Sequence, residues 1–237
     1  RYRYGKWNME NKVNDLRQQL FNFELNKSFN KNDFFVSESN FYAYKLLLSW
    51  PKWEKKIINI YGEKYSGKTH LVEIFLEKHN GLKINLKDLK SYDLDELRFN
   101  ENIIIDNISN DLDETLFYSF IDIIEKYNKF LILTSNISLN DLNFKLDDLK
   151  SRLKNCLYAE IQKPDDILIK ALIAKNLADY QITIESKLVD YISKRITRSY
   201  LKIREFVCTI NEISLKKKKP INMKIIKEIL EGKIESL

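Results

Sequence analysis

The sequence predicts an α/β fold, a parallel-sheet base followed by a C-terminal all-helical lid, and three observations carry that prediction. Short β-rich runs alternate with helical segments from about Lys56 to Pro164. "NIIID" (102–106) carries three consecutive isoleucines, Ile103 to Ile105, before the aspartate, as expected of a strand covered on both faces. After Pro164 the strand-like runs stop and four amphipathic segments follow.

Taken in order, residues 1–27 are polar with scattered aromatics and no sustained period, which predicts a flexible N-terminal tail. The base is expected over 28–164 and the lid over 165–237. "SESNFYAYKLLLSW" opens on helix-capping residues and predicts a helix ending at Pro51. "KIINIY" (56–61) is a strand, and "THLVEIFLEKH" (69–79) repeats Leu71, Ile74, Phe75 and Lys78 at helical spacing. "GLKINL" (81–86), "NIIID", "FLILTSN" (130–136) and "YAEIQKP" (158–164) are further strands. They are separated by the helices "DETLFYSFIDIIEKY" (113–127) and "LDDLKSRL" (146–153). The lid helices are "DDILIKALIAKNLADY", "ESKLVDYISKRI", "SYLKIREFVCTINEISL" and "NMKIIKEILEGKI".

Composition narrows the class. A hydrophobic share of 44% with 31% charged residues in 237 residues is ordinary for a soluble globular chain with a real core. No apolar run approaches the ~20 residues of a bilayer span, and the N-terminus lacks the apolar stretch of a signal peptide. No membrane partner and a cytoplasmic location are therefore expected. Two cysteines, Cys156 and Cys208, lie far apart in sequence and suit a reducing compartment, with no disulfide expected. The net charge of +6 is compatible with nucleic acid nearby without requiring contact. The run Lys216–Lys219 reads as a solvated inter-helix turn.

The most informative stretch is "GEKYSGKT" (62–69), two of the chain's five glycines inside eight residues. It fits G-x-x-x-x-G-K-[ST], with a strand before it and a helix after it. Gly62 and Gly67 permit a path on which backbone N–H groups, including that of Ser66, converge on phosphate oxygens at a helix N-terminus. In this pattern Lys68 reaches the β- and γ-phosphates and the Thr69 hydroxyl holds Mg²⁺, so ADP or ATP is the expected ligand. His70, next in the same segment, reads as helix packing behind the loop.

Such a loop works with an acid at the end of a buried strand, and Asp106 supplies it as a metal partner. Asn107 follows where many ATPases place a second acid to activate water; an amide accepts no proton at neutral pH, so slow intrinsic hydrolysis is expected. Asn136 ends the next strand within reach of a γ-phosphate or an attacking water. Arg152, in "KSRL", is placed to point out of its own site toward a neighbour's as an arginine finger. Arg204, in "KIREFV", lies in the lid and is placed to close over phosphates.

This order of parts resembles the AAA+ ATPases, and more narrowly the DnaA/Hda group of bacterial replication regulators. "FFVSESN" (34–40) is similar to the group's F-V-V-G-x-S-N, and "YGEKYSGKTHL" to its Y-G-x-x-G-x-G-K-T-H-L. "LKSRL" is similar to its Box VII arginine segment, and "IREFVCTINEI" (203–213) to its sensor-2 segment V-R-E-L-E-G-A-L-N-R-L. The resemblance spans roughly residues 19–235. It implies nucleotide and Mg²⁺ held by Lys68, Thr69 and Asp106, with Arg204 as the sensor-2 contact. It also implies Asn136 as sensor 1, Arg152 as a finger presented to the ATP of DnaA, and Phe35 and Val36 beside the adenine. "QLFNF" (19–23) fits the clamp-binding pattern Q-L-x-x-F, with Gln19 at a pocket rim and Leu20 and Phe23 inside it. That tail and the "IDN" sequence resemble the Hda-type members. They bind ADP and the DNA-loaded sliding clamp and stimulate ATP hydrolysis by DnaA. By the resemblance the partners are the sliding clamp and DnaA, with DNA reached through the clamp, and a homo-oligomer is a further assembly to expect.

Two departures stand against the pattern. Lys64 and Tyr65 occupy the region where relatives carry an extra glycine, and "TSNIS" replaces the usual T-S/G-D-R-P-P after the fourth strand. Two other functions stay open: a DnaA-like loader or initiator that handles DNA directly, and a catalytically silent clamp adaptor in which nucleotide only braces the fold.

Overall fold

The computed structural model describes residues 34–85, 94–217 and 221–232. Its elements in chain order begin with α1 (Phe41–Leu48), β1 (Ile57–Gly62), α2 (Lys68–Lys78), β2 (Gly81–Ile84) and α3 (Leu94–Phe99). Then come β3 (Asn102–Ile108), α4 (Glu114–Lys126), β4 (Phe130–Ser135), α5 (Asp147–Lys154) and β5 (Leu157–Ile161). After Ile161 the described elements are helices: α6 (Asp166–Asp179), α7 (Ser186–Ser193), α8 (Tyr200–Lys217) and α9 (Met223–Leu230).

The five strands form one parallel sheet in the order β2-β3-β4-β1-β5. Residue parity along each strand explains why the runs are largely apolar at consecutive positions. Ile57, Ile103, Ile105, Leu131 and Leu133 face one layer and pack with Phe117, Ile121 and Ile124 of α4 and Leu149 and Leu153 of α5. Ile58, Ile60, Ile104 and Ile132 face the other and pack with Ala43 and Leu47 of α1 and Leu71, Val72 and Phe75 of α2. Each such large side chain, fully buried, contributes about 1.5–3 kcal/mol. A third apolar cluster joins the C-terminal helices through Ile169, Ile173, Leu177, Ile192, Phe206 and Ile210.

Asn59 is the polar exception in β1, fully buried. Its amide nitrogen donates to Ser135 Oγ (2.9 Å), and its Oδ1 accepts from the Leu139 N–H (3.1 Å). These bonds fix the chain just beyond β4, where Asn136 stands. The buried thiol of Cys156 is pushed up to about 12 by burial and is inert as a nucleophile at neutral pH; both cysteines are free.

Two elements differ from expectation. Helix α3, "LDELRF", has no counterpart in the sequence reading, because six residues give no resolvable period. Strand β3 continues past Asp106 to Ile108, with a register irregularity between Ile105 and Ile108 that bends the strand at the acid.

Candidate functional site

Strand β1 delivers the chain to Gly62 at the C-terminal edge of the sheet. A Cβ on Gly62 would stand 2.6 Å from the Ile161 carbonyl oxygen of β5, so only glycine lets the loop leave there. Gly67 closes the loop at φ 94°, left-handed backbone that favours glycine, and is the N-cap of α2. Tyr65 is also left-handed, at φ 69°, without being glycine.

Lys68 opens α2 and is buried. Its ammonium donates to the carbonyls of Gly62 (2.7 Å) and Glu63 (2.9 Å) and to Asn136 Oδ1 (3.3 Å). Burial lowers its pKa, opposed by the charges of Asp106 and Glu63. The Thr69 hydroxyl donates to Asp106 Oδ2 (3.0 Å), Thr134 donates to Asp106 Oδ1 (2.5 Å), and Lys83 Nζ lies 3.2 Å from Oδ2. Burial pushes the Asp106 carboxyl up, but the hydrogen bonds of Thr134 and Lys83 and the Lys83 charge outweigh it. The carboxyl is held below the usual carboxylate range. The β3 bulge makes this aim: Asn107 sits at φ 62°, its N–H donates to Thr134 Oγ1 (2.8 Å), and its side chain is exposed.

The residues fit a magnesium nucleotide. Mg²⁺ is held by one or two protein oxygens plus substrate phosphates, and the Thr69–Asp106 pair provides such oxygens. No group of three or more His, Cys, Asp or Glu gathers elsewhere among the described residues as a rival metal site. Ser66 Oγ is buried beside Gly62 with no hydrogen-bond partner among the described residues, an orphaned donor inside the loop.

One of the C-terminal helices, α8, begins on this same loop. The Glu63 carboxylate accepts from Ser199 Oγ and from the Tyr200 N–H (2.9 Å), capping the start of α8. One turn further on, the Arg204 guanidinium lies 4.5 Å from the Tyr65 ring centroid. The N-terminal segment meets the loop from the other side. Phe34 packs on Gly67, edge-on to His70 (5.6 Å) and stacked with Tyr44 (5.9 Å). Asn40 holds that segment through the Phe35 carbonyl (2.9 Å) and the Ser37 N–H (2.9 Å).

The structure thus brings Gly62, Ser66, Gly67, Lys68, Thr69, Asp106 and Asn136 together, with Arg204 at the rim. His70 packs behind the loop against Phe34. Phe35 and Val36 are half-buried next to it, Phe35 against the α1–α2 cluster. Phe34, rather than Phe35 or Val36, is the residue in contact with the loop glycine. Arg152 is not part of this cluster; it contacts Tyr118, Asp122 and Glu125 of α4. Gln19, Leu20 and Phe23 lie outside the described residues, as does part of the lysine run. Sequence reasoning missed Glu63, Tyr65, Phe34, Thr134 and Lys83. Tyr65 had a signal, as a bulky residue in the region where relatives carry an extra glycine; Lys83 and Thr134 needed strand register.

No family model matches the chain. In sequence it is similar to the chromosomal replication initiator protein DnaA of Borrelia garinii, 28% identical over 241 residues, covering 87% of this chain and 49% of that protein. The chain spans about half the length of the curated relatives it matches. In structure it is similar to domain III of DnaA from Thermotoga maritima. That match has TM-score 0.68 at 17% identity and covers 91% of this chain and all of that one, 100%. A replication initiator DnaA bound to AMPPCP and single-stranded DNA matches with TM-score 0.60 at 19% identity, covering 82% of this chain and 69% of that one. The fold is therefore that of DnaA-like AAA+ domains, and no helix among the described residues is long and apolar enough to cross a membrane.

Proposed function

We propose that this chain is an Hda-like regulator of replication initiation: it holds ADP or ATP with Mg²⁺, docks on the sliding clamp through Gln19–Phe23, and stimulates hydrolysis of DnaA-bound ATP. The observation that carries the nucleotide half is the convergence of Lys68, Thr69, Asp106 and Asn136 on one loop. Lys68 neutralises phosphate charge, the loop N–H groups and Ser66 orient the phosphates, and Thr69 with Asp106 holds the metal. Magnesium, when bound, would supply charge stabilisation to the phosphates. Asn107 stands beside Asp106 and takes up no proton, which supports a domain that keeps its nucleotide rather than turning it over. Arg204 reports the nucleotide to the lid from its seat on Tyr65.

The regulatory half rests on Arg152. It sits outside its own nucleotide loop, on α5 against α4, and the resemblance to the DnaA/Hda group is what supports its reaching the phosphates of another AAA+ domain. The experiment is the rate of ATP hydrolysis by DnaA of the same organism with clamp-loaded DNA, ADP and this protein. Strong stimulation by wild type is expected, lost in Arg152→Ala and in Gln19→Ala/Leu20→Ala. Equal stimulation by Arg152→Ala and wild type would sink the trans-acting arginine.

A second reading, a DnaA-like initiator domain that handles DNA directly, is favoured by the +6 charge and by a structural neighbour whose name includes single-stranded DNA. Salt-dependent binding of a single-stranded oligonucleotide without clamp would select it.

A further inference from the structure

At the N-terminal ends of the strands, away from the nucleotide loop, a cavity of about 230 Å³ is lined by Lys55, Lys56, Glu125, Asn128, Lys129 and Arg152. Ile57 begins β1 here and Gly62 ends it at the loop, so roughly 17 Å of strand separates the two sites. Arg152 is held on three sides. Its Nη2 donates to Asp122 Oδ1 (2.7 Å) and to the Tyr118 hydroxyl (3.3 Å), its Nη1 pairs with Glu125, and its Cζ lies 4.7 Å from the Tyr118 ring centroid. The lysines are held differently. Lys56 Nζ donates to the Asn128 carbonyl (2.8 Å) and Lys129 Nζ to the Arg98 carbonyl (2.6 Å), contacts that leave their charge uncompensated. Lys55 is exposed. Four cations therefore meet two carboxylates, both engaged by Arg152.

Resting on the trans-acting reading of Arg152, we propose that this face accepts the terminal phosphates of a nucleoside triphosphate held by a second AAA+ domain, with Lys55, Lys56 and Lys129 drawing them in and Asp122 and Glu125 sheathing Arg152 until phosphate displaces them. The exchange is like for like, since a guanidinium forms the same paired bonds with phosphate as with carboxylate. The sheath is weak enough to open: Asp122 and Glu125 are 57% and 47% exposed, so solvent screens both pairs. It sets a threshold, giving way where the phosphate charge is concentrated against the lysines. A bare arginine would instead pair with any carboxylate that met this face.

The test compares wild type, Asp122→Asn/Glu125→Gln, Lys55→Glu and Arg152→Ala for stimulation of ATP hydrolysis by DnaA on clamp-loaded DNA, titrating each protein. Removing the sheath should lower the half-stimulating concentration about threefold to tenfold with the maximal rate unchanged. Lys55→Glu should raise it, with the larger effect at low salt. A lower maximal rate in the sheath variant would overturn the proposal, showing that the carboxylates position the arginine instead. Arg152→Ala inactive with the other variants like wild type removes this inference alone; Arg152→Ala as active as wild type removes the trans-acting reading as well. A partner-free measurement follows the Arg152 Nε–H resonance as inorganic tripolyphosphate is added to full-length protein saturated with ADP. The signal should move, and at a severalfold lower concentration in the sheath variant; no movement in either protein overturns the site.

Discussion

At the C-terminal ends of the strands one buried ammonium and one largely buried carboxylate are met by the loop and by each other's neighbours: Lys68 by two carbonyls and Asn136, Asp106 by Thr69, Thr134 and Lys83. At the N-terminal ends, Lys55, Lys56, Lys129 and Arg152 outnumber their acids and stay near solvent. The first arrangement is preorganised, held in place by the sheet and by α2, and suits a ligand kept inside the molecule. The second is complete only when something anionic arrives. In the proposed reading, one sheet supports a holding site at one edge and a presenting face at the other.

The sharpest way to break that comparison is Lys68→Ala. Losing a buried, charge-assisted contact to phosphate should cost about 3 kcal/mol or more, two orders of magnitude in nucleotide affinity. Calorimetric titration with ADP would read it, while the presenting face keeps its response to tripolyphosphate. Unchanged ADP affinity would remove Lys68 from the site.

Asp106→Asn should come next, with Mg²⁺-dependent affinity falling about tenfold or more while metal-free binding changes little. The same carboxyl predicts a pH signature. Its folded pKa is depressed, so its contribution to stability is present above the ordinary carboxylate range and is lost as pH falls through the folded value. Between about pH 5 and pH 3 wild type should therefore lose more stability by urea denaturation than Asp106→Asn does. Parallel losses would show that Thr134 and Lys83 do not hold the charge.

Legibility from sequence follows the same division. The loop, Asp106 and Asn136 were readable because the chemistry lies in a local motif or at a strand end. The alternating layers of Ile57/Ile103 and Ile58/Ile104 were readable as continuous apolar runs, though not which layer each residue faced. Lys83 was not readable: its role depends on β2 lying beside β3 in register Lys83↔Ile104, a long-range pairing no local pattern announces. The Asn107 bulge was hidden for the same reason, since only pairing with β4 shows that two residues oppose Thr134. Arg152 was legible as an arginine at a telling position, but its sheath required α4 and α5 to be packed together.

A smaller effect sits where the loop meets the lid. Glu63→Gln weakens the cap on α8 and should cost about 1 kcal/mol, read as faster amide exchange in the first turn of α8. The cap binds the lid to the holding site, so nucleotide affinity should fall with it by severalfold. Protected α8 amides in the variant would show that the lid is held elsewhere.

The smallest expected effect separates strain from function at Tyr65. A tyrosine in left-handed backbone costs about 1–2 kcal/mol, which glycine would relieve. Glycine also loses the Arg204 contact, worth about 0.5–1 kcal/mol where exposed, and adds about 0.5–1 kcal/mol of unfolded-chain entropy. The terms offset, so Tyr65→Gly should leave thermal stability within about 1 kcal/mol of wild type. What it should change is the lid: with no ring beneath it, Arg204 is no longer seated over the loop, and nucleotide-dependent protection of α8 should weaken. A clear gain in stability with α8 protection unchanged would make Tyr65 strained backbone with no part in seating Arg204. Equal stability with weakened protection would mean that the ring is kept for the arginine it carries.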